Sequence, residues 1–231
     1  ALRDRHAEEG GRVMMLTADD VHVKIGAITA LRGFSMSIDQ GELVALTGRN
    51  GAGKTTFLKS VMGLRPPRKG TITFDGVNLA GLPVHERAAM GIGYMPEDRG
   101  LIPDLTVEEN ILLPTWVTSA LKGPERLEVV YEILPELIEM RSRKALLLSG
   151  GQQKLAALAR ALACGTRLLL LDEPFEGVAP ALAQRLSSVI AQLKGEHMAI
   201  LLSQSELNHS FDVFDRDFVI ERGANAASAH A

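Results

Sequence analysis

Gly48-Arg49-Asn50-Gly51-Ala52-Gly53-Lys54-Thr55-Thr56 fits the phosphate-binding pattern G-x-x-x-x-G-K-[ST], and its neighbours are those such a loop requires. Glu42 to Thr47 before it reads as a buried strand, and Thr55 to Met62 after it as a helix stopped by Gly63. Glycines at 48, 51 and 53 let the backbone wrap a phosphate with its N–H groups, and a helix N-terminus adds partial positive charge beneath it. Lys54 then belongs on the β- and γ-phosphates. Thr55 offers a hydroxyl to Mg²⁺, a cation that prefers hard oxygen ligands and keeps several waters.

Around this loop the 231 residues read as an α/β protein: a P-loop NTPase core with an antiparallel β subdomain and an inserted helical subdomain. Residues 1–12 are expected as a flexible tail, 13–223 as a nucleotide-binding domain and 224–231 as a second tail. Val13 to Val23 and Phe34 to Ile38 look like strands separated by a turn around Gly26 and Gly33. Thr71 to Phe74 and Ile92 to Met95 are further strands. From about 97 to 147 helical signals replace them: Thr106-Val107-Glu108-Glu109 has a capping-box pattern, and Pro124 opens a helix that Pro135 ends. Trp116 and Tyr131 are expected to pack inside this helical part, the alternative being a surface that grips a partner helix. Ser149 is an apt N-cap for a helix to about Cys164, and Pro180 opens another. Met198 to Leu202 and Phe218 to Ile220 are the last strands.

The formal charge of −3 gives no basic field of the kind nucleic-acid binders use, so no nucleic-acid partner is expected. One cysteine, Cys164, excludes an internal disulfide, and the histidines show no metal-ligand spacing. No apolar run reaches the length of about 18 residues that spans a bilayer, and the N-terminal residues do not resemble a signal peptide.

Two further stretches carry chemistry. Leu168 to Leu171, fully apolar, ends in Asp172-Glu173, which puts two carboxylates at the carboxyl end of a buried strand, the edge where open α/β sheets bind ligands. Asp172 is expected to hold Mg²⁺ through its water shell. Glu173 is expected to orient or deprotonate the water that attacks the γ-phosphorus. The second stretch, Leu148-Ser149-Gly150-Gly151-Gln152, is a second anion-reading helix start. One nucleotide already has its phosphates gripped by the P-loop, so the second helix end points to closure from another protomer.

With these motifs in this order, residues 13 to 223 resemble the ATP-binding subunit of ABC transporters, whose signature is LSGGQ. The resemblance implies that two subunits sandwich two ATPs head to tail, each P-loop facing the partner's Ser149-Gly150-Gly151-Gln152. It also implies a homo- or heterodimer of ABC ATPase subunits on the cytoplasmic face of the membrane, with separate transmembrane permease subunits and a periplasmic or extracellular substrate-binding protein. Pro96-Glu97-Asp98-Arg99, Leu105 to Asn110, and Glu176-Gly177-Val178-Ala179-Pro180 look like the LIV-type importers of branched-chain and other hydrophobic amino acids.

Three positions depart from the wider family. The aromatic that stacks on adenine is replaced by Ile25, which keeps apolar contact and loses stacking. The glutamine of the γ-phosphate loop is Glu97, a carboxylate that can bind Mg²⁺ directly or through water. The switch histidine after the strand ending at Leu202 is missing, with Gln204 or Ser205 at its place; Gln204 can hydrogen-bond the γ-phosphate or the water but cannot take up a proton or a positive charge as histidine does. His209 is the nearest histidine and reads as a surface residue. Arg49 is expected to face solvent. The alternative to a motor is a catalytically weak regulatory subunit of a heterodimer, which Ile25 and the missing histidine favour.

Overall fold

The computed structural model describes residues 14–117, 120–205 and 214–226. The proposed tail 1–12 and His209 lie outside these residues. The chain builds β1 (Met14–Ile25), β2 (Ile28–Asp39), β3 (Leu43–Thr47), α1 (Lys54–Val61), β4 (Lys69–Phe74), β5 (Val77–Asn78), α2 (Val84–Ala89) and β6 (Ile92–Met95). It continues with α3 (Val107–Leu112), α4 (Gly123–Ile133), α5 (Gly150–Cys164), β7 (Leu168–Asp172), α6 (Pro180–Gly195), β8 (Ala199–Gln204), β9 (Arg216–Glu221) and β10 (Ala224–Asn225).

Two sheets form among the described residues. An antiparallel sheet has the order β2-β1-β4-β5, and a six-stranded sheet has the order β10-β9-β3-β8-β7-β6. In the second, β6, β7, β8, β3 and β9 run parallel, and β10 closes the edge antiparallel to β9. Every residue of β3, β7 and β8 is buried, as expected for parallel strands covered on both faces. Their unbroken apolar runs still obey the two-residue period. Leu169, Leu171, Ile200 and Leu202 enter a core built with α5 and α6, whereas Leu168, Leu170, Ala199 and Leu201 enter a second core shared with α1 and the antiparallel sheet.

The helical stretch between β6 and α5 does not enclose a core of its own. Val107, Ile111, Val130, Ile133 and Leu137 pack with Leu155, Leu158 and Leu162 of α5 in one cluster. The expected capping box forms: Thr106 Oγ1 accepts from Glu109 N at 3.2 Å, and Glu109 Oε2 accepts from Thr106 N at 2.8 Å. Pro135 ends α4 and begins a 3₁₀ turn, Pro135–Met140.

Three expectations need correction. Gly33 is not in the turn between the first two strands. The hairpin turns at Gly26 and Ala27, and Gly33 sits inside β2 with φ +85°, opposite an irregular stretch of β1 where the Asp20 carboxylate lies 2.8 Å from where a Cβ would be. The segment from Ala224 does not begin as a tail: Ala224 and Asn225 pair with β9, and the Asn225 side chain bonds both Ser35 N (2.8 Å) and Ser35 O (2.7 Å). A short polar amide docked on a strand edge gives little hydropathy signal. Trp116 is 57% exposed and so is not a core residue, while Tyr131 is partly buried and donates to Glu108 Oε2 at 3.0 Å.

Candidate active site

The loop after β3 folds back so tightly that Gly48, at φ +155°, could not carry a side chain: a Cβ there would lie 2.3 Å from the Ile220 carbonyl oxygen. The helix that follows has Gly53 at its N-cap and no side-chain cap, which leaves its first N–H groups for a ligand. Lys54 is 5% exposed, and Nζ donates to the carbonyls of Gly48 (2.6 Å) and Arg49 (3.3 Å) and to Ser205 Oγ (3.1 Å). It also pairs with Glu173 Oε1 at 3.1 Å. Ala30, Asn50, Gly51, Gly53, Lys54, Thr55, Thr56, Glu97 and Glu173 line a cavity of 340 Å³ at this end of the sheet.

Beneath it, Asp172 is fully buried. Its Oδ1 accepts from Ser203 Oγ at 2.7 Å and Thr55 Oγ1 at 3.1 Å, and its Oδ2 from the Tyr94 hydroxyl at 3.2 Å. Burial pushes this carboxyl above the usual range, with the three hydroxyls opposing the shift and the Glu173 charge adding to it. A buried carboxylate ringed by hydroxyls, with a threonine already on it, is a donor set of hard oxygens that suits Mg²⁺ once phosphate oxygens and water complete the shell. Glu97 is also pushed up, by partial burial first and then by Asp172, Glu176 and Glu173.

Glu173 stands at φ +49°, in the left-handed region that non-glycine residues rarely occupy. Its N–H donates to Ser203 Oγ at 3.0 Å, and Oε2 accepts from Ser205 N at 3.0 Å. The Ser205 hydroxyl is in hydrogen-bond contact with Glu173 Oε1 and Asn50 Oδ1 as well as Lys54.

The structure thus gathers Lys54, Thr55, Thr56, Glu97, Asp172 and Glu173, and of the two residues after Leu202 it brings Ser205 to the carboxylate. Gln204, expected in the catalytic set, is not there. As the last residue of β8 it is 5% exposed, its carbonyl accepts from Gly48 N at 3.3 Å, and its Nε2 is buried without a partner among the described residues. The alternation of the strand turns successive side chains to opposite faces, so one residue of register separates the two outcomes. Ile25, expected at the adenine rather than at the phosphates, stands 40% exposed at the hairpin end and outside this phosphate cavity, which Ala30 of β2 helps to line. Arg49 is exposed, as expected, and Ala52 is buried in the core beside α1. Tyr94 and Ser203 were not foreseen: a strand tyrosine and a strand serine carry no motif, and only the sheet register brings them to Asp172.

Ser149, Gly150, Gly151 and Gln152 stand apart from this cavity. Ser149 Oγ accepts from Gln152 N at 3.3 Å and Gln152 Oε1 accepts from Ser149 N at 3.0 Å, closing a capping box on a largely exposed helix start.

A parallel sheet whose carboxyl edge carries a glycine loop, its lysine and two carboxylates defines a P-loop nucleoside triphosphatase. The model of the ABC transporter family matches residues 31–176. The chain is 36% identical over 209 residues, 90% of each protein, to the high-affinity branched-chain amino acid transport ATP-binding protein BraG of Pseudomonas aeruginosa. It is 32% identical, over 90% of this chain and 88% of the relative, to the lipopolysaccharide export system ATP-binding protein LptB of Haemophilus influenzae. Among solved structures it superposes on a dimeric post-hydrolysis state of the ATP-binding cassette MJ0796 bound to ADP and Pi. That match has a TM-score of 0.81 and 26% identity, and it covers 92% of this chain and 97% of the other. The chain belongs to the ABC transporter family, as an ATP-binding, ATP-hydrolysing subunit. Among the described residues no helix is long and apolar enough to cross a membrane.

Proposed function

We propose that this chain powers an importer of branched-chain or related amino acids. Two cassettes, copies of this chain or this chain and another ABC ATPase subunit, would close on ATP at the cytoplasmic face of the membrane, and attached permease subunits would turn closure into alternating access. A periplasmic or extracellular substrate-binding protein would deliver the cargo. The likeness to BraG and the three LIV-like stretches support the amino-acid reading, while the likeness to LptB supports a lipopolysaccharide exporter as its competitor.

The observation that carries the motor itself is the Lys54–Glu173 pair inside the phosphate cavity. Incoming phosphate would take Lys54 from Glu173 and free that carboxylate to orient or deprotonate the attacking water. Ser205, donating its backbone N–H to one carboxylate oxygen and touching the other, would keep Glu173 aimed. Thr55 and Asp172, with Glu97 at the cavity wall, would hold Mg²⁺, which when bound supplies positive charge to the β- and γ-oxygens. Ser149 to Gln152 would read the partner's nucleotide. A groove of 580 Å³, in which Leu64, Val84, Leu113 and Val117 stand beside the charged Lys59, Asp98 and Arg160, would offer a seat for a cytoplasmic segment of the permease. The absence of a histidine at Gln204 or Ser205 favours a second reading, a regulatory cassette with slow turnover.

Steady-state ATP hydrolysis with Mg²⁺, compared with Glu173→Gln, tests the motor. A fall in kcat of about 100-fold or more in the variant is expected. ATP binding without turnover in the wild type would move the assignment to the regulatory subunit. Uptake of radiolabelled leucine into vesicles carrying the cognate permease separates the amino-acid reading from the exporter.

A further inference from the structure

Lys154 lies in α5 two residues beyond the signature, and only 3% of it is exposed. Its side chain crosses to the turn after β7, where Nζ donates to the Glu173 carbonyl at 3.1 Å and to the Glu176 carbonyl at 2.5 Å. Both acceptors are main-chain oxygens on either side of the Pro174-Phe175 segment. The first belongs to the residue held at φ +49°. The backbone of Glu173 is therefore gripped from two directions: Ser203 of β8 receives its N–H, and Lys154 of α5 donates to its carbonyl.

An ammonium buried at this place is an expensive way to pack a helix, since desolvation opposes its charge and the flanking Leu155 and Leu158 fill the core without that penalty. What the charge does add is a directional, two-point link between the start of α5 and the peptide that aims the hydrolytic carboxylate.

We infer that Lys154 is a positioning residue that couples the Ser149–Gln152 helix start to Glu173 of the same chain. Resting on the reading that a partner's nucleotide sits on that helix start, the link makes each chain's own hydrolysis sensitive to the nucleotide bound by its partner. A small rotation of α5 on engagement shifts the Lys154 ammonium, and with it the peptide after Glu173.

The test compares wild type, Lys154→Met and Lys154→Arg in steady-state ATPase assays across ATP concentration, with nucleotide affinity followed separately by fluorescence of trinitrophenyl-ATP. For Lys154→Met the expected result is a drop in kcat of about 10-fold or more, KM and trinitrophenyl-ATP affinity within about 2-fold, and a Hill coefficient that falls toward 1. Lys154→Arg, which restores a charged donor, recovers at least part of the kcat and the cooperativity. If Lys154→Met does not fold by circular dichroism, Lys154→Gln takes its place under the same expectations. Wild-type kcat and Hill coefficient in the methionine or glutamine variant overturn the inference, as does a loss confined to KM. A wild type without turnover removes the Glu173 reading and this inference with it; an active wild type with an unaltered variant removes the inference alone.

Discussion

Two helices in this molecule begin with glycine-rich sequence facing outward, and they begin in opposite ways. The start of α1 has no side-chain cap, sits at the mouth of a cavity and has beneath it a lysine, a threonine and two carboxylates. The start of α5 satisfies itself through Ser149 and Gln152, is largely exposed and lies outside that cavity. Uncapped N–H groups in a charged pocket call for an anion within the single chain. A self-capped helix end on the surface does not, and on the proposed reading its serine and glycines would read a phosphate that another molecule presents. On that reading the α1 end of one chain and the α5 end of another would together make one site.

The sharpest way to break the comparison is one methyl group in each loop. At Gly48 a Cβ meets the Ile220 carbonyl at 2.3 Å in a backbone conformation that L-residues avoid, so Gly48→Ala should lower stability by about 2 kcal/mol or more. At Gly150 the nearest atom to an added Cβ is an Arg99 nitrogen at 3.5 Å, an ordinary contact, so Gly150→Ala should change stability by less than about 0.5 kcal/mol while impairing turnover. Urea denaturation reads the first quantity and ATPase assay the second. Equal destabilisation by the two variants would erase the distinction.

A smaller effect sharpens the α1 side. Ser205→Ala removes the hydroxyl that touches Lys54, Asn50 and Glu173, and should lower kcat by about 10-fold. Gln204→Leu removes a buried amide nitrogen that has no partner among the described residues, and should leave kcat within about 2-fold and stability unchanged or raised by about 1 kcal/mol. A Gln204 variant that loses activity while Ser205→Ala keeps it would reverse the placement of these two residues.

How much of this was legible in sequence depends on what kind of interaction fixed each residue. The phosphate loop, the Thr106 capping box, the Ser149 N-cap and the Asp172-Glu173 pair are local patterns, in which backbone need and side-chain chemistry lie within a few residues of each other. The full apolarity of Leu168 to Leu171 announced a strand covered on both faces, and the structure sends alternate leucines to two cores. Gln204 against Ser205 was not legible because one step along a strand changes the face and the apolar run stops just before the choice. Tyr94, Ser203 and Lys154 act at Asp172 and Glu173 through contacts 19 to 78 residues away in sequence, which no local period encodes. Gly33 reads as a turn because bulges and turns use the same residue.

The central claim is that a complete hydrolytic site needs the α1 end of one chain and the α5 end of another. It is tested most directly by mixing two variants, Lys54→Ala and Ser149→Arg, in a steady-state ATPase assay. Neither should turn over alone, and the mixture should recover activity, because the mixed pair retains one intact Lys54 facing one intact Ser149. A Ser149→Arg chain that hydrolyses ATP at the wild-type rate, with a rate per chain independent of protein concentration, would contradict the account.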